Sequence, residues 1–173
     1  IGSIDEKNPT QTNIFQSSIL DTKAPILTAS ETITQFPYET ELKSAKKTSN
    51  WLIDPYGNGY NVLSGAAIHF KKANQKSYHN EYSVNTGAIE DPVNGAKETQ
   101  GDFASAWIDH GFAPKNASYQ YIIYPFLSQE NQKNFGAMVK SDKSFEIKRA
   151  DSVAHIVLNK ETSTTGYVIF EAP

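Results

Sequence analysis

The stretch "FASAWIDHGFAP" places an aspartate directly before a histidine, a pairing that could serve acid/base chemistry. An Asp that holds a His in one orientation prepares that His to act as a general base. Adjacent residues on a strand point to opposite faces of the sheet, however, so Asp109 and His110 cannot easily make this contact. A bulge or a turn would have to break the alternation first.

The alternative is a structural corner, because Gly111 is an ordinary residue for leaving a strand and Asp or His at such a corner bonds local backbone groups. This interpretation predicts that Trp107 is buried. It also predicts that Asp109 and His110 bond neighbouring loops, such as the one around residues 115–118. No catalytic residue is assigned.

Other site chemistries find little support in the motifs. A nucleophile of the Gly-x-Ser-x-Gly type is absent, and the four histidines stand too far apart in the sequence for a zinc motif. The segment "DPYGNG" at Asp54 partly matches the opening of a calcium loop, but it lacks the glutamate at the twelfth position. A tight hairpin explains the same residues without a metal, so no metal ligand is assigned.

Charge and composition exclude several classes of partner. The formal net charge is −3, from 16 basic and 19 acidic residues spread along the chain, which argues against a nucleic acid or an anionic membrane as partner. Arg149 is the sole arginine, so strong capture of anions would depend on lysines. Cysteine is absent, which excludes disulfides and thiolate metal sites. The apolar stretch 121–127 is too short to span a bilayer.

A carbohydrate surface is better supported by the aromatic residues, which offer flat faces for sugars. Tyr56, Tyr60 and Lys115 are the candidate glycan contacts. Aromatic residues at alternate strand positions also suit the core of a β-sandwich, so core packing remains the alternative. The lysine-rich segments "KSAKK" and "KKANQK" could meet an acidic polymer, or they could be solvated strand ends.

The elements that must position these residues are mostly strands. Alternating β-rich runs separated by Gly, Pro, Asn and Asp clusters predict an all-β, antiparallel β-sandwich. The predicted strands are 12–20, 26–28, 38–42, 50–53, 59–63, 66–72, 81–84, 103–109, 118–125, 145–149, 153–159 and 166–171.

The connections between these strands carry their own signals. Asn58 and Gly59 predict a tight hairpin turn, and the polar segment 160–165 predicts a terminal hairpin. The segment 85–102 is typical of a long loop. One short helix is predicted, with Ser128 as its N-cap and Lys140 near its end.

Three blocks in order carry a resemblance: "NWLIDPYGNGYNV", "GDFASAWIDHGFAPKNASYQYIIYPF" and "VAHIVLNKETSTTGYVIFEA". Together with the opening "IGSIDEKNPTQTNIFQ", they resemble the central β-supersandwich region of polysaccharide lyase family 8, most closely its bacterial chondroitin sulfate ABC lyases. The resemblance implies a fragment of a galactose-mutarotase-like supersandwich. Residues 1–173 would then be one β-sandwich domain, or part of one, excised from a larger lyase, and the start at Ile1 rather than Met fits this expectation.

The resemblance also implies a function. Such lyases cut uronate-containing glycosaminoglycans by β-elimination, with catalytic Asn, His, Tyr and Arg residues on a helical domain, assisted by a Glu from the early part of the sheet domain. None of those motifs matches this chain, so the segment is expected to be non-catalytic. The implied partners are an acidic polysaccharide and the helical catalytic domain, and the implied location is secreted or periplasmic. No cofactor is implied in this chain, and a divalent cation elsewhere in the enzyme stays open. The alternative is an independent carbohydrate-binding or adhesin-like β module.

Overall fold

The computed structural model describes residues 6–42, 50–63, 67–80 and 96–170. Within these ranges the chain forms antiparallel strands and one helix, which confirms the predicted all-β class with a single helix. The strands are β1 (Pro9–Ser18), β2 (Ile26–Thr28), β3 (Thr32–Ile33), β4 (Tyr38–Leu42), β5 (Asn50–Ile53), β6 (Gly59–Val62), β7 (Ile68–Asn80), β8 (Ala96–Phe112), β9 (Tyr121–Tyr124), β10 (Phe145–Ala150), β11 (Ala154–Asn159) and β12 (Thr164–Ile169), and the helix is α1 (Gln129–Ser141).

The chain divides into two compact units, Ile1–Lys133 and Asn134–Pro173. The first unit contains a four-stranded sheet in the order β1-β8-β7-β4 and a five-stranded sheet in the order β3-β2-β5-β6-β9. The second unit contains the three-stranded sheet β10-β11-β12. The expectation of one domain over residues 1–173 stays a prediction.

The core of the first unit is built by period-two alternation. On β7 and β8 one face carries residues that are almost fully buried, among them Ile68, Phe70 and Ile108. These pack with buried side chains of the five-stranded sheet, such as Leu52 and Val62, in one hydrophobic cluster. Burial of such a side chain contributes roughly 1.5–3 kcal/mol, so this shared cluster holds the two sheets together as a sandwich.

The longest strands extend beyond their predicted ends. β7 was predicted to end at residue 72 and β8 to begin at residue 103, yet the pairing of the two strands runs on to Asn80 and Ala96. The loop prediction for 85–102 is therefore wrong for residues 96–102. Residues 81–95, which include the predicted strand 81–84, lie outside the described residues. We call the outer parts of β7 and β8, residues 73–80 and 96–102, the ribbon. β4 pairs with β7 only over residues 68–72, and β1 pairs with β8 only over residues 103–112. The ribbon therefore lacks the apolar alternation by which a strand is predicted from sequence.

The hairpin that joins β5 to β6 is present, but its turn differs from the predicted one. Positive φ occurs at Gly57, with φ of 84°, rather than at the Asn58-Gly59 pair, and Gly59 is already the first residue of β6. The backbone amide of Gly57 donates to the carbonyl of Asp54 over 3.0 Å, which closes a turn with Pro55 in its second position. Five residues, 54–58, lie between the paired ends of β5 and β6, so the predicted two-residue turn does not form.

The Asp54 carboxylate organises this turn. Its Oδ1 accepts the backbone amides of Tyr56 at 2.8 Å and Asn58 at 2.9 Å, and its Oδ2 accepts the Asn58 side-chain amide at 2.9 Å and the Tyr60 hydroxyl at 3.2 Å. Asp54 is buried, so these four donors compensate the loss of water. Burial, followed by the charge of Asp54 and the hydrogen bond to it, raises the pKa of Tyr60.

The helix and the terminal hairpin agree with their sequence signals. Ser128 Oγ accepts the backbone amide of Asn131 at 3.1 Å, as an N-cap does, and α1 ends one residue beyond Lys140. β11 and β12 pair from Ala154 with Ile169 to Asn159 with Thr164. Among the described residues no helix is long and apolar enough to cross a membrane.

Lys72 contradicts the interpretation of "KKANQK" as a solvated strand end. Its side chain has no exposed surface, because β7 directs it to the same face as Phe70. The ammonium donates to the carbonyl of Ala24 over 2.7 Å. Burial lowers the pKa of Lys72 from 10.5, an effect that the charge of Asp21 opposes. The segment "KSAKK", residues 43–47, lies outside the described residues.

The role of Asp54 predicts a clear stability effect. Asp54→Ala should lower the free energy of unfolding of the first unit by about 2–4 kcal/mol, because four donors, among them the buried Tyr60 hydroxyl, lose their acceptor. Both tryptophans of the chain lie in this unit, so urea unfolding followed by their fluorescence measures the change. Asp54→Asn keeps one oxygen for the two backbone amides and should cost less. A loss below about 1 kcal/mol in the alanine variant would contradict this role.

The lowered pKa of Lys72 predicts how stability depends on pH. The folded chain gives up this proton at a lower pH than the unfolded chain does, so the unfolded state binds more protons in the interval up to 10.5. The contribution of Lys72 to stability is therefore fully present above 10.5 and is lost as pH falls through the lowered pKa. Urea unfolding of Lys72→Met should lack this rise with pH. Parallel pH profiles of the two proteins would disprove the assignment.

Candidate functional site

A trough lies on the outer face of the four-stranded sheet, turned away from the hydrophobic cluster. Its volume is about 380 Å³, which is within the range of small-molecule sites. We call this surface the amide trough, because four of its seven lining residues carry side-chain amides. The lining consists of Gln11, Asn13, Gln16, Lys71, Gln75, Ser105 and Trp107.

Strand alternation and one bulge position these side chains. On β8, Ala104, Ala106 and Ile108 point into the core, so Ser105 and Trp107 point outward into the trough. On β1 the pairing with β8 shifts between Asn13 and Phe15.

The bulge on β1 changes the alternation of its side chains. Ile14 and Phe15 are both buried, while Asn13 and Gln16 on either side of them line the trough. With its amide oriented to satisfy both groups, Asn13 donates to the carbonyls of Phe15 and Ala106, each at 3.1 Å. The bulge therefore keeps two amide residues on the outer face, three positions apart.

Trp107 was expected to be buried in the core, and this expectation is wrong. The residue is half-buried on the outer face, where it pairs across the sheet with Asn13 on β1 and His69 on β7. Its ring stacks on the His69 ring with centroids 5.4 Å apart and an interplanar angle of 14°. The core positions of β8 go to smaller side chains instead. The stack fixes the orientation of the indole within the trough.

Two donors in the trough wall have no hydrogen-bond partner among the described residues. These are the indole Nε1 of Trp107 and the side-chain Nε2 of Gln75, both of which are buried atoms. The Oε1 of Gln75 accepts Nε2 of Gln16 at 3.3 Å, so the Gln75 amide is satisfied on one side only. An unpaired buried donor costs about 1–3 kcal/mol. Two side chains of the trough lining therefore carry a buried donor that lacks an acceptor in the part of the chain that the structure describes.

Lys71 supplies the positive charge of the trough. Its ammonium lies 3.2 Å from a carboxylate oxygen of Glu39 on β4, and both side chains are substantially exposed. Exposed ion pairs of this kind contribute about 0–1 kcal/mol. Another carboxylate or a sulfate can therefore replace Glu39 at little cost.

Asp109 and His110 do not end β8, which continues to Phe112. The Oδ1 of Asp109 accepts the backbone amide of Gly111 at 2.7 Å, and Gly111 has a φ of 75°. The Nε2 of His110 and the hydroxyl of Thr12 are 2.8 Å apart and hydrogen-bonded, which ties β8 to β1. The His110 ring also contacts Tyr119, directly after residues 115–118, at 6.1 Å. These partners make the two residues part of a bulged corner.

The candidate glycan contacts lie apart from the trough lining. Tyr56 is half-exposed in the β5–β6 turn, and its hydroxyl donates to the carbonyl of Ser18. Tyr60 is only 7% exposed, and its ring stacks on Phe15 at 5.5 Å inside the core. Tyr60 therefore offers no free ring face to a sugar, which corrects that part of the prediction. Lys115 is exposed in the segment after β8.

Metal binding finds no constellation in the part of the chain that the structure describes, where no group of three or more His, Asp or Glu side chains could hold an ion. The Asp54 carboxylate of the partial calcium motif is occupied by its four protein donors.

The trough itself was missed by sequence reasoning. The sequence-based prediction of a carbohydrate surface relied on aromatic residues. The amides of the trough lie on β1 and β7 and are brought together only by strand pairing. The signal that could have indicated it is the run of amide residues at positions 11, 13 and 16 on a strand, since Asn is depleted in strands.

The corner yields a prediction about coupling between β1 and β8. Thr12→Val and His110→Ala should each destabilise the first unit, and a double-mutant cycle should give a coupling energy of about 0.5–1.5 kcal/mol, because both changes remove the same hydrogen bond. Tyr56→Phe combined with Thr12→Val serves as the control, and these two changes should be additive. Additivity of the Thr12 and His110 changes in urea unfolding would refute the bond.

Comparison with known proteins gives the chain a family. The family description "Polysaccharide lyase family 8, super-sandwich domain" matches residues 3–135. The match ends close to residue 133, where the first compact unit ends. A chondroitin sulfate ABC endolyase of Proteus vulgaris is 28% identical over 172 residues, which cover 99% of this chain and 15% of that protein. A chondroitin sulfate ABC exolyase of Bacteroides thetaiotaomicron is 32% identical over 165 residues, which cover 95% of this chain and 13% of that protein.

Solved structures show the same fold. A chondroitinase AC lyase structure superposes with a TM-score of 0.67 at 20% identity, covering 98% of this chain and 23% of that one. A Paenibacillus xanthan lyase structure gives a TM-score of 0.68 at 16% identity, covering 93% and 15%. The chain thus spans only 13% to 15% of the length of the two chondroitin lyases compared above. Because the family match covers the greater part of its residues, the chain belongs to polysaccharide lyase family 8, through the super-sandwich domain.

Proposed function

We propose that this chain is a non-catalytic β-sandwich segment of a bacterial glycosaminoglycan lyase that acts on uronate-containing polysaccharides by β-elimination. The observation that carries the proposal is the family match over residues 3–135 to a super-sandwich domain, rather than to a whole lyase. The small share of the chondroitin lyases that the chain covers supports the same interpretation.

The chemistry of β-elimination indicates what the rest of the lyase must supply. A base removes the proton at C5 of the uronate, a second group neutralises the carboxylate so that the carbanion is tolerable, and an acid protonates the leaving glycosidic oxygen. In this chain the side chains of Asp109 and His110 are hydrogen-bonded to the backbone amide of Gly111 and to the hydroxyl of Thr12, respectively. We assign the three catalytic roles to a helical domain outside these residues.

The proposed role of the segment is to brace that helical domain and to line the distal part of its substrate cleft. A sandwich that rests on a continuous hydrophobic cluster gives the rigid support that such a role requires. The proposed setting is secreted or periplasmic, where a polymeric substrate is accessible. We propose no cofactor for this segment, because bracing and binding need none.

An independent carbohydrate-binding module is the second candidate, and the amide trough favours it. A single indole among amides and a hydroxyl is a surface composition that suits sugars, and it does not depend on a helical catalytic domain. An open reading frame that continues upstream with a helix-rich pattern supports the lyase segment, and a signal peptide directly before Ile1 supports the module.

The proposal predicts that the 173-residue chain is inactive by itself. Incubation of the highly purified chain with chondroitin sulfate should give no unsaturated uronate, because the base and the neutralising group are supplied from elsewhere. Ultraviolet absorbance of the unsaturated product measures this. A complete family member from the same preparation scheme serves as the positive control. Reproducible product that co-purifies with the chain would overturn the non-catalytic assignment.

A further inference from the structure

We propose that the amide trough is a binding site for an acidic saccharide, in which Trp107 and the amides hold sugar hydroxyls and Lys71 holds a carboxylate or sulfate. The acidic class of the ligand rests on the function proposed above, whereas the saccharide character rests on the trough itself. The residues of the site project from the outer face of β1, β7 and β8.

The polar lining matches the hydrogen bonding of sugars. A carboxamide carries donors and acceptors side by side, as a pair of sugar hydroxyls does, and Ser105 adds a hydroxyl of the same kind. The unpaired Nε1 of Trp107 and Nε2 of Gln75 both need an acceptor. Hydroxyl, ring and carboxylate oxygens of a saccharide are such acceptors.

The indole provides the apolar part of the site. Trp107 is held by its stack on His69, so little side-chain freedom is left to lose when a ligand binds. A fixed aromatic ring beside a few orienting polar groups is the general composition of a small-molecule site, and the volume of about 380 Å³ admits a short oligosaccharide segment.

The charge of the trough selects an acidic ligand. Lys71 is the cationic residue of the lining, and its present partner Glu39 lies on the neighbouring strand β4. Glu39 thus competes with the acidic group of a ligand for the same ammonium. Removal of Glu39 should strengthen binding, and removal of Lys71 should weaken it.

The test uses the ¹⁵N-labelled 173-residue chain and a chondroitin sulfate oligosaccharide of defined length. The chain has two tryptophans, so NMR shows two indole N–H signals, and Trp107→Phe identifies the one from the trough. We expect the Trp107 signal to shift with saturation while the Trp51 signal stays in place. A Trp107 signal that does not move at the highest ligand concentration would overturn the proposal.

Variants test the individual contacts. Trp107→Ala should weaken binding about tenfold, as expected for a central aromatic contact, and Gln75→Leu should weaken it severalfold. Tyr167→Ala removes an exposed aromatic ring from the other compact unit and should leave the affinity unchanged. If Trp107→Ala does not fold, as judged by circular dichroism, Gln75→Leu decides the question. Unchanged affinity in the folded trough variants rules the site out.

Charge variants test the acidic class. Glu39→Gln should tighten binding about threefold, and Lys71→Gln should weaken it and reduce its dependence on salt. A neutral maltooligosaccharide should bind more weakly than the chondroitin oligosaccharide. Equal binding of the two ligands contradicts the role of Lys71.

A protein segment of the complete lyase is the competing occupant of the trough. Gln16→Cys introduced into the complete lyase tests it, because a thiol reagent reaches this position only if the trough is open. Protection of the cysteine in the absence of saccharide overturns the proposal.

The binding test is independent of the proposed lyase function, because saccharide binding by the isolated chain needs no catalysis. Failure here therefore leaves the lyase assignment intact, and product formation by the isolated chain would overturn the non-catalytic assignment without affecting the trough.

Discussion

The pairing of β7 with β8 is the constraint on which the first unit depends. It aligns Ile68 with Ile108 and His69 with Trp107, so one register places the aliphatic pair in the core and the aromatic pair outside. A slip of one residue would exchange the two faces. The same pairing therefore creates the hydrophobic cluster and the amide trough, and neither can change without the other.

The register is held from both faces. Inside, the packing of Phe70 and its neighbours against the five-stranded sheet penalises any shift. Outside, the bulge of β1 fixes Asn13 beside Trp107 through hydrogen bonds to two carbonyls. Lys72 adds a further restriction, because a shift of β7 would move its buried ammonium away from the carbonyl of Ala24. A site built on paired strands in this way is more rigid than one built on loops.

The sequence predicted the class, the positions of most strands along the chain and the single helix, because apolar alternation and turn residues are local signals. It failed where pairing is decided by distant residues. The polar ends of β7 and β8 have sequences typical of a loop, yet each forms a strand because it pairs with the other. The corner interpretation predicted that Trp107 is buried, although it alternates with the buried Ala106 and Ile108 and therefore lies on the outer face. The trough could not be predicted from the sequence, because its residues come from three strands that only the pairing brings together.

The ribbon formed by the outer parts of β7 and β8 has a further consequence. Among the described residues, the strand partner of β7 beyond Lys72 is β8 and that of β8 before Asp102 is β7, while the carbonyl of Asp102 also accepts the amide of Ile19 over 2.8 Å. Their outer edges consequently offer regularly spaced backbone donors and acceptors to any extended segment that approaches. Self-association through these edges is opposed by charged and polar side chains such as Lys76 and Gln100. Such side chains are a usual protection of a sheet edge against pairing with a further chain.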